Sequence, residues 1–81
     1  MSLKEPTLSP HAAELKSRAN DLFKDGKFTQ AFDVFTAAIS EAENSPTLYS
    51  NRSAAAIRMK NFAQALKDAE KAVKVRCHIE I

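Results

Sequence analysis

The 81-residue chain repeats itself every 34 positions, and that internal period constrains its fold more than any other feature. Arg18 is matched by Arg52, Phe28 by Phe62, Gln30 by Gln64, Ala31 by Ala65 and Ala38 by Ala72. Small or branched residues recur too, Ala19 with Ser53 and Ile39 with Val73. Of the five identities, all but the arginine pair fall in one stretch of each unit, where alanines follow an aromatic at fixed distances. A period of this length describes one supersecondary unit stacked on a copy of itself, each burying an apolar face that it cannot bury alone.

Helix signals fall in step with the period. Ser9-Pro10 and Ser45-Pro46 each set a hydroxyl residue before a proline, the pairing of an N-cap with a first helical residue whose missing N–H costs nothing. From Pro10 the residues Ala12, Leu15, Ala19, Leu22 and Phe23 recur at helical spacing, and Gly26 supplies a stop, which predicts a helix over roughly 10–25. From Thr29 a second series, Ala31, Phe32, Phe35, Ala38, Ile39 and Ala42, keeps the same period until Asn44-Ser45-Pro46 ends it. The second unit repeats the plan: Leu48, Tyr49, Ser53, Ala56 and Ile57, a turn around Lys60-Asn61, then Phe62, Ala65, Leu66, Ala69, Ala72 and Val73. Short turns make both pairs antiparallel hairpins. The expected layout is a flexible segment over 1–9, two units over about 12–45 and 46–76, and a tail over 77–81. Cys77 to Ile81 alternates polar and apolar residues, which suits a strand or an irregular tail.

Composition supports an all-α class, with a single glycine, no tryptophan and many strong helix formers. A net charge of +2, from 12 basic and 10 acidic residues mixed along the chain, does not advertise nucleic-acid binding. The lone cysteine, Cys77, allows no internal disulfide and no thiolate zinc site, which fits a reducing compartment, and the cytoplasm is the expected location. The opening Met1 to Pro6 has no apolar core of signal-peptide length, and the longest apolar run, Ala54 to Ile57, is far too short to span a membrane. A core of this size supplies only a few kcal/mol of net stability.

The small residues in the first helix of each unit (Ala19, Ser53), the aromatics at the turns (Phe28, Phe62) and the alanines of the second helices resemble the tetratricopeptide repeat over about residues 12–76. The resemblance implies a tandem helix-turn-helix solenoid of about four helices. Small side chains would let paired helices approach, while Phe28 and Phe62 plug the gap beside each turn. The family's proline at the end of the second helix is missing, with Glu43 and Cys77 near those places, and its early aromatic survives only as Tyr49.

A narrower resemblance is to co-chaperones of the Hop, cyclophilin and protein-phosphatase kind. In these a lysine and an asparagine one turn apart, followed by an asparagine in the next first helix, grip a ligand's C-terminal carboxylates. Here Lys16 and Asn20 stand at i and i+4, followed by Asn51, and Tyr49-Ser50-Asn51-Arg52-Ser53-Ala54-Ala55 is similar to the co-chaperone segment. The similarity implies a partner: the Glu-Glu-Val-Asp C-terminus of the 90-kDa or 70-kDa heat-shock chaperones. Lys16 would supply charge and Asn20 and Asn51 directed amide donors, while Phe23, Ala54 and Ile57 would wall a pocket for the valine. The family's two further basic residues belong to a third repeat, the first falling at Ile81, so the clamp is partial. The alternative is a general scaffold that binds an unrelated helix or self-associates through the uncapped last helix, where Ala69, Val73 and Val75 offer apolar surface.

Catalysis finds no constellation. His11 and His78 have no carboxylate cluster or serine nucleophile around them, and Cys77 beside His78 is a neighbour pair near a terminus rather than an arranged dyad. One glycine cannot build a phosphate-cradling loop, and the basic residues lack interleaved aromatics for stacking bases. Phe32 and Phe35 read as core, while Lys67, Asp68, Glu70, Lys71 and Lys74 read as the solvated face of the last helix. The expectation is a binding module with no cofactor, no metal, and no nucleic-acid or membrane partner.

Overall fold

A computed structural model of the chain describes residues 8–42 and 45–79, with side chains through Val75. It contains four helices: α1 (Pro10–Lys24), α2 (Phe28–Glu41), α3 (Pro46–Arg58) and α4 (Phe62–Ile79). Each packs on the next in chain order, so the molecule is a run of two helix hairpins, the all-α solenoid that the 34-residue period predicts.

The repeat extends to individual hydrogen bonds. At the end of α1 the N–H of Gly26 donates to the carbonyl of Phe23 at 3.0 Å and that of Lys27 to Leu22 at 2.9 Å. One period later Lys60 donates to Ile57 at 2.9 Å and Asn61 to Ala56 at 2.8 Å. Both are Schellman endings, which require a left-handed residue: Gly26 at φ 80° and Lys60 at φ 63°. The starts are less alike. The Ser9 hydroxyl accepts the Ala12 N–H at 3.1 Å and caps α1, whereas Ser45 is buried and makes no side-chain cap bond. Conversely, Asn61 accepts the Gln64 N–H at 3.4 Å ahead of α4, while Lys27, its counterpart ahead of α2, has no acceptor to offer.

Small residues sit at the crossings, as the pattern predicts. Ala19 and Ala31 are fully buried, and in the second unit the Ser53 hydroxyl donates to the Ala65 carbonyl at 2.8 Å. The core is built around Phe35, Ile39, Leu48 and Tyr49, with Ala72 and Val75 closing it from α4. Burying a side chain such as Phe35, 1% exposed, contributes about 1.5–3 kcal/mol.

Three expectations change. Residues 77–79 continue α4 rather than forming a strand or irregular tail, because no glycine or proline interrupts the run and Val75, buried at the core, carries the helix past Val73. Phe62 does not plug a gap, being 62% exposed, since the helix that would cover it has no counterpart among the described residues. Asp68 is not solvated. It is 2% exposed and accepts a forked pair of bonds from Arg52, Nε to Oδ2 at 2.9 Å and Nη2 to Oδ1 at 2.6 Å, joined by Gln64 Nε2 at 3.0 Å. Glu43, Asn44 and Ile81, on which other expectations fall, lie outside the described residues, as do the side chains of Cys77 and His78.

Candidate functional site

Alternate helices of a solenoid share a face, and here α1 and α3 flank a groove floored by α2. A hollow of about 120 Å³ is lined by Asn20 and Phe23 from α1, Phe35 from α2, and Asn51 and Ala54 from α3. Helical spacing explains the convergence: Asn20 and Phe23 stand at i and i+3, as do Asn51 and Ala54, so each pair shares a helix face. Phe35, placed in the core by sequence, forms the apolar floor, which only the stacking of α1 and α3 on α2 could reveal.

Lys16 borders an adjoining hollow of about 350 Å³ with Leu8, Ala13, Ser17, Asn20, Asp21 and Lys24. Asn20 lines both hollows, which adjoin at its side chain. The structure therefore brings Lys16, Asn20, Asn51, Phe23 and Ala54 to this groove. It does not bring Ile57, which is 49% exposed and absent from the lining of either hollow. Ile57 is three residues beyond Ala54 on α3, and about half of its surface is open to solvent.

Lys16, Asn20 and Asn51 are each partly exposed, and none has a side-chain hydrogen bond or ion pair with another described residue. Their donors are therefore open to a ligand, and each is held on a helix rather than a loop. One cation, two amides and an apolar floor suit a short acidic segment with an aliphatic side chain. No group of three or more histidine, cysteine, aspartate or glutamate residues able to hold a metal occurs among the described residues. No described helix is long and apolar enough to cross a membrane.

Sequence reasoning missed an aromatic cluster that starts from Phe23, a wall of the hollow. The Phe23 ring meets Phe28 edge-on, with centroids 5.0 Å apart at 72°, and the Arg58 guanidinium lies over both, 5.8 Å from the first centroid and 5.5 Å from the second. The signal was present in the spacing, since Arg58 follows Ala54 by four residues and so shares its face of α3.

No family model matches the chain. Among curated proteins, the heat shock protein sti1 homolog of Schizosaccharomyces pombe is 43% identical over 65 residues, covering 80% of this chain and 11% of that protein. The Hsp70-Hsp90 organizing protein 1 of Arabidopsis thaliana is 44% identical over 59 residues, 73% of this chain and 10% of that protein. The human RNA polymerase II-associated protein 3 is 38% identical over 65 residues, 80% of this chain and 10% of that protein. The chain spans about a tenth of the length of the relatives it matches. Over most of its length it is a two-unit helical repeat similar to one segment of the Hsp70-Hsp90 organizing proteins.

Proposed function

We propose that the groove between α1 and α3 binds the acidic C-terminus of a heat-shock chaperone, a Glu-Glu-Val-Asp-type peptide of the 90-kDa or 70-kDa class. The observation that carries the proposal is the convergence of Asn20 on α1 and Asn51 on α3, 31 positions apart in the sequence, on one hollow, with Asn20 also lining the adjoining hollow that Lys16 borders. A chain terminus ending in aspartate presents two carboxylates. Lys16 answers their charge, Asn20 and Asn51 donate directed hydrogen bonds, and Phe23, Ala54 and Phe35 receive the valine. Similarity to organizing proteins named for Hsp70 and Hsp90 supports this choice of partner.

Replacing Lys16 by Ala tests the role of charge. Removing one charge-assisted contact lowers peptide affinity about 10- to 100-fold, and the loss shrinks as salt is raised. Isothermal titration of both proteins at low and high ionic strength measures it. An unchanged affinity favours a second reading, scaffolding without carboxylate recognition, to which one observation speaks: Phe62, Leu66 and Val73 form an exposed apolar stripe along α4. On that reading a second copy of the chain covers the stripe, Lys16→Ala has no effect, and sedimentation velocity reports a dimer or larger species.

A further inference from the structure

Two serines of the chain stand directly before a proline, and the fold treats them in opposite ways. Ser45 is 2% exposed, whereas Ser9 is open to solvent ahead of the first turn of α1. The Ser9 backbone is extended, at φ −62° and ψ 158°, as a residue before proline prefers to be. A proline-directed protein kinase takes an extended Ser-Pro pair that it can reach, so burial withholds Ser45 and leaves Ser9. The Ser9 hydroxyl accepts the Ala12 N–H at 3.1 Å and donates to no described residue, so its proton is not committed within the fold. The first turn of α1 carries no acidic residue that would repel a phosphate there.

What such a phosphate faces ties it to the groove. Leu8 and Ala13, on either side of Ser9 in the chain, both line the hollow that Lys16 borders. At helical spacing Ser9, Ala13, Lys16 and Asn20 fall on one face of α1, and Ala13 puts only a methyl group between Ser9 and Lys16. Seven residues of helix advance about 10 Å, and a lysine side chain leans toward the helix N-terminus, which closes part of that gap. A phosphate of charge about −1.5 to −2 on Ser9 then lies within about a Debye length of the Lys16 ammonium. Among the described residues that ammonium has no carboxylate partner.

We infer that Ser9 is a phosphorylation site for a proline-directed kinase, and that its phosphate pairs with Lys16 and so weakens the groove for acidic C-termini. In the transfer Ser9 Oγ attacks the γ-phosphorus of ATP. The Oγ–phosphorus bond forms as the bond to the β,γ-bridging oxygen breaks, ADP leaves with that electron pair, and the hydroxyl proton passes to the base of the kinase. The effect on binding rests on the groove reading above. The test treats the full chain with a proline-directed kinase and ATP, maps the phosphate by mass spectrometry, and titrates a peptide ending in Glu-Glu-Val-Asp by fluorescence anisotropy. Phosphate goes onto Ser9 and not onto Ser45; phosphate on both, or none on Ser9, overturns the site. The phosphorylated chain binds the peptide about 3- to 10-fold more weakly at low salt, phosphatase treatment restores the affinity, and in Lys16→Ala the phosphate changes nothing. Equal weakening in wild type and Lys16→Ala, or none in a wild type that prefers the free acid to the amide, overturns the switch. Should free acid and amide bind alike, the groove reading has failed on its own account, and the pairing is read without peptide. The Lys16 Hε resonances shift on phosphorylation of Ser9, and resonances indifferent to it overturn the inference.

Discussion

Lys60 carries an avoidable strain. It occupies the left-handed region at φ 63°, where its counterpart one period earlier is Gly26 at φ 80°. Both residues close the same Schellman hydrogen bonds, but a side chain in that conformation costs about 1–2 kcal/mol, which glycine escapes at the expense of greater freedom in the unfolded chain. The net expectation is that Lys60→Gly stabilises the fold by about 0.5–1 kcal/mol, read as a raised midpoint in urea denaturation followed by far-UV circular dichroism. Gly26→Ala moves the midpoint the other way. A Cβ there meets nothing within 4 Å, so its penalty is purely one of backbone conformation.

Between elements, the decisive contact is the fork from Arg52 on α3 to Asp68 on α4. Arg52 also donates from Nη1 to Thr36 Oγ1 at 3.2 Å and lies over the Phe32 ring at 5.3 Å, so one side chain ties α4 and α2 to α3. Asp68→Ala leaves the guanidinium, 15% exposed, without its buried partner and costs about 3 kcal/mol, a large share of what a domain of this size possesses. Urea denaturation measures the loss, and Lys67→Ala on the exposed neighbour, within about 0.5 kcal/mol of wild type, is the control. The sequence hid this contact for a physical reason. The repeat did match Arg18 with Arg52, but the residue one period before Asp68 is Val34, so periodicity could not flag an acidic partner, and the lysines around Asp68 made the helix face look solvated. The helices themselves were legible because proline, glycine and alanine spacing act locally. Phe62 was misjudged because burial there depends on the element stacked next, which spacing within one unit does not report.

At the scale of the whole molecule the two units are alike in plan and unlike in cover. The stripe Phe28, Phe32 and Ile39 of α2 has α3 packed beside it, and Ile39 is 7% exposed; Val73, its equivalent on α4, is 61% exposed. The groove, by contrast, needs only what both units share: two first helices side by side over α2. Lys16, Asn20 and Asn51 were legible as candidates because a resemblance named them, whereas Phe35 as floor emerges only from the stacking. The central claim is recognition of a free chain terminus, and it is tested most directly by titrating the wild-type protein with one acidic peptide ending in Glu-Glu-Val-Asp in two forms, free acid and C-terminal amide. A carboxylate grip predicts that the amide binds about tenfold or more weakly, since it removes a charge from the group that Lys16, Asn20 and Asn51 would hold. Equal affinity for the two forms contradicts it.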